Sequence, residues 1–239
     1  MFRETKGRSL LKTISWRFWA TLTTIALVLL FVGKTEIALS IGGLEVVLKM
    51  IIYFFHERAW DKIKIGRKEF NPFVLWITGL SGSGKTSIAK ETVKQLQAEG
   101  FKVEHLDGET IRHLFPQTGF SKEDVNQHIE RVGYLASKLE KHGIFVVASF
   151  LSPYKESREF VRNICENYIE VYLNTPLEVC ESRDPNGLYK KARDGKFDNF
   201  PGISSKYEIP DSPDLTIDTT NVSIENGSKK IINYISKYI

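Results

Sequence analysis

The feature that most constrains the fold is a glycine-rich octapeptide between a predicted strand and a predicted helix. Residues 73–78 read FVLWIT, an apolar run of good strand formers, and residues 79–86 follow directly as GLSGSGKT. The pattern G-x-x-x-x-G-K-[ST] forms a phosphate-binding loop, because its glycines let backbone N–H groups surround a phosphate at the positive end of the next helix. We therefore predict a nucleotide site here and an amphipathic helix over residues 85–98.

The octapeptide also assigns roles to its positions. In such loops the lysine reaches the β- and γ-phosphates and the Ser/Thr hydroxyl coordinates Mg²⁺, which makes Lys85 a candidate catalytic residue and Thr86 a candidate metal ligand. We predict ATP and Mg²⁺ as cofactors. The predicted nucleotide ligands are Gly79, Leu80, Ser81, Gly82, Ser83, Gly84, Lys85 and Thr86.

The rest of residues 70–239 alternates strand-like and helix-like segments, which is typical of a parallel sheet covered by helices. The fold class predicted is α/β, a three-layer phosphate-loop kinase fold with a five-stranded parallel sheet. The predicted strands are residues 73–78, 102–106, 144–150, 168–173 and 214–218, and the further helices are 122–142, 154–166 and 222–238. Gly143 is expected to end the helix that precedes it.

Two classes of phosphate-loop protein do not fit this sequence. A GTPase needs a guanine-reading Asn-Lys-x-Asp, which is absent, and a motor or transporter ATPase usually has an apolar strand that ends in aspartate. Here the apolar run of residues 144–148 continues into Ser149 and Phe150, and the carboxylate Asp107 instead follows the second predicted strand. A carboxylate at that position suits a small-molecule kinase, where it can orient an acceptor hydroxyl.

The positive charge of the chain is confined to its first 69 residues. These hold 12 Lys and Arg against 6 Asp and Glu, a net charge of +6, whereas residues 70–239 hold 21 against 23, a net charge of −2. The second part has no basic tract, so we expect no nucleic-acid partner. Cys165 and Cys180 lack the spacing of a metal or redox motif, which indicates a reducing compartment.

The first part contains two apolar runs of 19 residues each, 14–32 and 37–55, joined by residues 33–36. This is close to the ~20 residues that cross a bilayer as a helix. Glu45 and Lys49 lie four apart in the second run and can pair on one helix face. Basic residues flank the outer ends, so the positive-inside rule places both termini and the kinase domain in the cytoplasm.

We therefore predict two domains: residues 1–69, a transmembrane hairpin bound to the lipid bilayer, and residues 70–239. Two other interpretations stay open for the first part. A cleaved signal peptide is disfavoured, because no small-residue cleavage site follows the apolar run. A soluble helical hairpin packed on the next domain is the stronger alternative. Residues 12–17 (KTISWR) and 53–60 (YFFHERAW) resemble a family of small predicted membrane domains of unknown function.

Six stretches of the second part resemble the adenylyl-sulfate kinase family in order and spacing. They are GLSGSGKTS at 79–87, LDGETIR at 106–112, GFSKED at 119–124, SFLSPY at 149–154, YLNTP at 172–176 and RDPNGLYKKAR at 183–193. The resemblance implies transfer of the ATP γ-phosphate to the 3′-hydroxyl of adenosine 5′-phosphosulfate (APS), giving 3′-phosphoadenosine 5′-phosphosulfate. It also implies a homodimer, since these kinases are commonly dimeric.

The resemblance implies site residues beyond the phosphate loop. Asp107 matches the first acid of the family's D-G-D-N-x-R, which implies contact with the acceptor hydroxyl or the metal shell. Ser152 matches a serine often designated a phosphoserine intermediate, although direct in-line transfer needs no covalent step. Both are therefore candidate catalytic residues. The implied substrate-binding residues are Asp107, Arg112, Phe120, His128, Ser149, Phe150, Leu188 and Lys190, and Arg183 and Arg193 join the nucleotide ligands.

Three positions depart from the family pattern F-S-x-x-D-R-x-x-N-[IV]-R-R. Val125 stands for an arginine, His128 for the asparagine and Glu130 for the first of the paired arginines. Losing an arginine removes a charge-assisted hydrogen bond to an anion, a loss of ~1.5–3 kcal/mol. Two alternatives therefore stay open: a related kinase with a different hydroxyl acceptor, and a non-catalytic ATP sensor attached to the hairpin.

Overall fold

The computed structural model describes residues 2–4, 6–31, 38–63, 67–115, 119–184 and 186–239. The chain divides into two compact units, Met1–Phe70 and Asn71–Ile239. The turn predicted at residues 33–36 lies outside the described residues. The side chain of Glu45 also lies outside them, so its predicted ion pair with Lys49 stays a prediction.

The first unit consists of two long helices and a short antiparallel strand pair. Its elements are β1 (Phe2–Glu4), α1 (Lys6–Phe31), α2 (Ala38–Lys62) and β2 (Arg67–Glu69). In the strand pair Phe2 lies opposite Glu69. The helices extend beyond the two predicted apolar runs, α1 at its start and α2 at its end. No helix within the described residues combines the length and the apolar character that a membrane span requires.

Polar contacts join α1 to the last turns of α2. The buried Arg8 guanidinium donates to the carbonyl oxygens of Ile63, at 2.6 Å, and Trp60, and lies 5.3 Å from the Trp60 ring centroid. The last carbonyls of a helix lack the usual intrahelical donors, so this arginine supplies hydrogen-bond donors at the end of α2. Lys12 forms an ion pair with Glu57 at 2.9 Å, and Ser15 bonds to His56.

The second unit is a three-layer α/β domain. Its elements are β3 (Val74–Thr78), α3 (Lys85–Ala98), β4 (Val103–Asp107), α4 (Gly108–Leu114), α5 (Lys122–Lys141), β5 (Phe145–Ser149), α6 (Lys155–Ile164), β6 (Tyr168–Leu173), α7 (Leu177–Ser182), α8 (Leu188–Arg193), β7 (Leu215–Ile217) and α9 (Ile224–Ile235). The strand order is β4-β5-β3-β6-β7, and every pairing is parallel. The predicted five-stranded parallel sheet is confirmed.

The core lies on both faces of the central strands. Every residue of β3 and β5 is buried, as expected where helices cover a parallel sheet on each side. Trp76 of β3 stacks on Phe150, with ring centroids 5.3 Å apart, within a cluster that includes Val132 and Val161 from the covering helices. The carboxyl ends of β3, β4 and β5 are thereby held at one edge of the sheet.

Most element bounds agree with the predictions, with three differences. α6 and α9 are shorter than predicted, because α6 ends at Ile164 and α9 spans Ile224–Ile235. The short helices α4, α7 and α8 were not predicted, since six or seven residues are too few to show a helical period. Gly143 follows α5 with φ +81°, in agreement with its predicted role at the end of that helix.

Candidate active site

The phosphate loop is held in shape by close backbone packing. Gly82 has φ +77°, and a Cβ placed on it would lie 2.4 Å from the Cys180 carbonyl oxygen of α7. Both its conformation and this contact exclude a side chain at this position. The loop therefore rests directly on the backbone of α7, with its last residues forming the first turn of α3.

Lys85 begins α3 and points back over the loop, where its Nζ donates to the Leu80 carbonyl oxygen at 2.7 Å. Burial lowers the pKa of Lys85 to about 8 and outweighs the opposing attraction of Asp107. A bound anion would replace the carbonyl as the partner of this ammonium group. The side chain thus has the position and charge expected of a phosphate ligand.

Asp107 lies at the carboxyl end of β4 and is surrounded by donors. Its Oδ2 accepts from the hydroxyls of Thr86 at 2.8 Å and Ser149 at 3.1 Å. Its Oδ1 accepts from the backbone N–H groups of Glu109 at 3.1 Å and Thr110 at 3.4 Å, so Asp107 caps α4. Burial raises the pKa of Asp107, but these four hydrogen bonds outweigh it and leave the pKa below its ordinary value. The carboxylate is therefore ionised at neutral pH.

Two cavities meet at the phosphate loop. The larger, about 720 Å³, is lined by the loop together with Arg183 and residues 222–225. The smaller, about 260 Å³, is the acceptor-side cavity, and its lining includes Arg112, Phe120, Val125, His128, Phe150 and Phe200. Ser81 lines both. Two ligands bound one on each side would therefore approach each other across the loop.

The acceptor-side cavity combines one cation with aromatic surface. The Arg112 guanidinium lies 4.3 Å from the Phe120 ring centroid and donates to the Gly119 carbonyl oxygen at 3.3 Å. Phe120 is 60% exposed, whereas Phe150, which lines the same cavity, is buried. An arginine beside an exposed ring suits a ligand that carries both an anionic group and a flat base.

Comparison with known proteins decides the family. A family model described as adenylylsulphate kinase matches residues 71–218. The chain belongs to the adenylyl-sulfate kinase family. A second model, described as a predicted membrane protein (DUF2061), matches residues 10–61.

Individual relatives of this kinase agree with the family match. The adenylyl-sulfate kinase of Halothermothrix orenii is 46% identical over 164 residues, which are 68% of this chain and 89% of that protein. The structure of Mycobacterium tuberculosis APS kinase CysC, solved with AMPPNP and APS, has a TM-score of 0.67 at 36% identity and covers 70% of this chain and 99% of that one. A hexameric APS kinase from Thiobacillus denitrificans has a TM-score of 0.55 at 28% identity, covering 76% of this chain and 32% of that one.

His128, one of the departures from the family pattern, is buried in the wall of the acceptor-side cavity. Its ring centroid lies 6.2 Å from those of Phe115 and Phe150. Burial lowers the pKa of His128 to about 4, and the charges of Arg112 and Arg131 add to this effect. The imidazole is therefore neutral at pH 7. Val125, which stands for an arginine of the pattern, lines the same cavity.

Of the remaining predicted site residues, some line the two cavities and others do not. Arg183 lines the larger cavity, where its guanidinium donates to the carbonyl oxygens of Thr219 and Thr220, both at 2.9 Å. Arg193 forms a two-bond ion pair with Glu181, at 2.9 and 2.8 Å. α8 carries Leu188, Lys190 and Arg193. None of the three is among the described residues that line the two cavities.

Ser152 is buried, and its hydroxyl is bonded to other protein side chains. The residue is 1% exposed, and its hydroxyl accepts from Trp76 Nε1 at 3.0 Å and donates to Thr78 Oγ1 at 2.9 Å. Its backbone is in the left-handed region, with φ +36°, which costs roughly 1–3 kcal/mol for a residue other than glycine. A catalytic role for Ser152 stays a prediction, and this geometry favours a structural one.

Sequence reasoning missed two tyrosines that contact this site. Tyr189 of α8 is buried, and its hydroxyl donates to the Ser81 carbonyl oxygen of the phosphate loop at 2.8 Å. The neighbouring Lys190 and Lys191 are exposed, so Tyr189 is the residue of this charged segment that packs against the loop. Tyr207 bonds to Thr78 at 2.9 Å. A tyrosine inside a charged segment was the only available signal for Tyr189, and Tyr207 had none.

We expect ATP to bind more weakly as the pH rises from 7 to 9. The free protein loses the Lys85 proton near pH 8, so above that pH binding requires proton uptake, and Kd rises by up to about tenfold per pH unit. Calorimetric titration with a non-hydrolysable ATP analogue, in buffers of different ionisation enthalpy, measures both the affinity and the proton uptake. The Lys85→Met variant should show no such rise. An affinity of the unmodified kinase that is constant over this range would contradict the assignment.

Proposed function

We propose that the second unit is an adenylyl-sulfate kinase that transfers the γ-phosphate of ATP to the 3′-hydroxyl of APS. The observation that carries this proposal is the position of Asp107. Its carboxylate bonds to Thr86 of the phosphate loop, and the next residue, Gly108, lines the acceptor-side cavity. The Asp107 carboxylate thus lies between a nucleoside triphosphate site and a second ligand site. This is the place where a transferred phosphoryl group must meet an acceptor hydroxyl.

The residues at the loop fit ATP with Mg²⁺. The Thr86 hydroxyl and the Asp107 carboxylate offer the hard oxygen ligands that Mg²⁺ prefers, and this ion commonly takes its other ligands from phosphates and water. When bound, Mg²⁺ neutralises charge that develops on the phosphate oxygens.

The side chains then divide the chemistry among themselves. The Lys85 ammonium stabilises charge on the transferred phosphoryl group. The ionised Asp107 accepts a hydrogen bond from the acceptor hydroxyl and orients it for in-line attack, which a loose transition state requires more than early proton removal. Arg112 pairs with the phosphosulfate, and Phe120 stacks on the adenine of APS. The α8 segment, with Leu188, Lys190 and Arg193, acts as a lid that excludes water.

The test is an acceptor panel with the purified full-length chain, ATP and Mg²⁺. We expect APS to be phosphorylated at its 3′-position with the highest kcat/KM of the panel. Phosphorylation of another hydroxyl compound in preference to APS would support the second candidate, a kinase with a different acceptor, which Val125 in the cavity wall favours. ATP binding with no acceptor phosphorylated would support the sensor.

The Val125→Arg variant separates the first two candidates. An arginine placed here should lower the KM for APS by roughly 10- to 100-fold, because it adds a charge-assisted hydrogen bond to an anion. A variant that phosphorylates APS when the unmodified chain does not would indicate that this kinase has changed its acceptor.

We infer that residues 1–69 form a separate domain that attaches the kinase to a lipid bilayer, with both termini and the kinase domain in the cytoplasm. The match of residues 10–61 to a predicted membrane protein family supports this. Large apolar side chains also remain exposed on both helices, among them Phe18, Leu30, Met50 and Phe55. Apolar surface of this extent requires a covering, which acyl chains would supply.

The kinase is also proposed to form a homodimer. The hexameric relative from Thiobacillus denitrificans shows that assembly occurs among proteins of this family. Light scattering on the purified chain, with detergent accounted for, measures the number of copies directly.

Deletion of residues 1–69 is expected to release a kinase that is no longer recovered with membranes and whose kcat is within about twofold of that of the full chain. The boundary between the units at Phe70 and Asn71 leaves the whole sheet and both cavities in the remaining part. Cell fractionation and steady-state kinetics measure the two results. An insoluble or unfolded product would show that the first unit is part of one core with the second.

A further inference from the structure

Three hydroxyl groups from distant parts of the kinase unit meet below the phosphate loop, and we call this cluster the hydroxyl junction. It consists of Thr78, Ser152 and Tyr207. Thr78 Oγ1 lies 2.9 Å from both the Ser152 Oγ and the Tyr207 hydroxyl oxygen, and it donates to the Leu151 carbonyl oxygen at 2.7 Å. Thr78 is fully buried and directly precedes Gly79, the first residue of the loop.

The hydrogen positions in the junction follow from its end groups. Trp76 Nε1 can only donate, so Ser152 accepts from it and passes its own hydrogen to Thr78. The Leu151 carbonyl can only accept, so the Thr78 hydrogen goes there. Tyr207 must therefore donate to Thr78. Burial raises the pKa of Tyr207 well above its ordinary value, which keeps that hydrogen in place.

Further contacts hold the same two segments together from the side of α6. Arg158 donates to the Ser152 carbonyl oxygen through Nη1 and to the Glu208 carbonyl oxygen through Nη2, each at 2.7 Å. The Glu208 N–H donates to the Pro153 carbonyl oxygen at 2.8 Å. The Tyr207 ring stacks on Tyr172, with centroids 6.1 Å apart. Tyr207 and Glu208 are thus fixed against the loop that follows β5.

The junction joins both walls of the acceptor-side cavity to the phosphate loop. Residues 150–154, after β5, line one wall, and residues 199–201 line another a few positions before Tyr207. Thr78 continues into the loop that would hold the transferred phosphate. A change at the junction would therefore shift the acceptor relative to the phosphoryl group, and a displacement of ~1 Å can lower a rate by about 10²-fold.

We propose that Tyr207 is a positioning residue for phosphoryl transfer, which ties the segment returning from the lid to the strand that carries the phosphate loop. This proposal rests on the proposed function. Tyr207 touches neither ligand in it. Its hydroxyl keeps residues 199–207, residues 150–154 and the phosphate loop in one arrangement, which excludes water from the transferred group.

The Tyr207→Phe variant of the full-length chain tests this, since it removes the hydroxyl and keeps the stacked ring. We expect kcat for APS phosphorylation to fall roughly three- to tenfold, with KM for ATP within about twofold. ATP hydrolysis without acceptor should rise relative to transfer. Tyr172→Phe is the matched control: it removes a hydroxyl from the stacked partner, whose own bond, to Asn174 at 3.3 Å, lies outside the junction. It should leave the ratio of hydrolysis to transfer unchanged.

A second pair of variants separates positioning from simple stability. Thr78→Ser keeps the hydroxyl and should retain the coupling of hydrolysis to transfer, whereas Thr78→Val removes it and should reproduce the loss seen in Tyr207→Phe. Thermal unfolding of each variant identifies any general loss of structure. A Tyr207→Phe kinase with normal kcat and normal coupling would overturn the proposal. An unmodified chain that does not phosphorylate APS would instead overturn the proposed function.

Discussion

An Asp107→Asn kinase is expected to phosphorylate APS with a kcat lowered by roughly 10²–10⁴. The carboxylate accepts four hydrogen bonds, two from hydroxyls and two from backbone N–H groups, and burial does not prevent its ionisation. An amide has one acceptor atom where the carboxylate has two, and it has no charge for a metal shell. The acceptor hydroxyl would then lose the group that orients it.

Single-turnover phosphoryl transfer at saturating ATP and APS measures this effect apart from product release. Glu104→Gln is the matched control, since Glu104 is an exposed carboxylate on the same strand and should leave the rate unchanged. The Kd of the ATP analogue for Asp107→Asn, measured by calorimetry, should stay within a few-fold of the Kd for the unmodified kinase. A rate lowered by less than about tenfold would show that Asp107 does not orient the acceptor.

A Lys85→Met kinase is expected to lose roughly 10²–10³ in kcat/KM for ATP. The ammonium group is held within 2.7 Å of the Leu80 carbonyl oxygen and is positioned before ATP arrives. A fixed charge that faces developing negative charge in a closed site contributes more to the transition state than to the ground state. Methionine keeps the apolar stem of the side chain and removes only the cation.

Lys90→Met is the matched control, because Lys90 is an exposed lysine on the same helix. Initial rates over a range of ATP concentrations separate kcat from KM. If Lys85→Met raised KM alone and left kcat unchanged, the lysine would contribute only ground-state binding, and its assignment as a catalytic residue would be wrong.

The centre of the fold was predictable because its signals are local. The octapeptide, the apolar run before it and the helical period after it are contiguous, and α3 spans Lys85–Ala98 as predicted. β3 and β5 are continuous runs of buried residues, which short length and strand-forming residue types indicate even without an alternating pattern. The order of the strands in the sheet was not predicted, because no single segment specifies which strands lie beside it.

The rest of the site could not be predicted, because it depends on contacts between residues far apart in sequence. Thr78 and Tyr207 are separated by 129 positions, and neither belongs to a periodic pattern that points to the other. Arg193 was expected at the nucleotide, but Glu181 on the neighbouring short helix offers a carboxylate for its guanidinium. A motif indicates which residue types are present, whereas their partners are decided by how the loops pack.

In the first unit the hydropathy pattern located both helices but not their full lengths. Polar residues outside the apolar runs continue each helix because they find partners across the pair, as Arg8 and Lys12 do with the end of α2. Such contacts have no signature in a hydropathy profile. The membrane-spanning role of the pair stays a prediction.

The contact between Gly82 and the Cys180 carbonyl has a consequence for how quickly and tightly nucleotide can bind. Because α7 supports the loop from below, the loop conformation is established when the protein folds. The chain entropy lost in ordering those residues is then absent from the free energy of association. Nucleotide encounters a preorganised set of N–H dipoles, so we expect a high association rate and little structural change of the loop on binding.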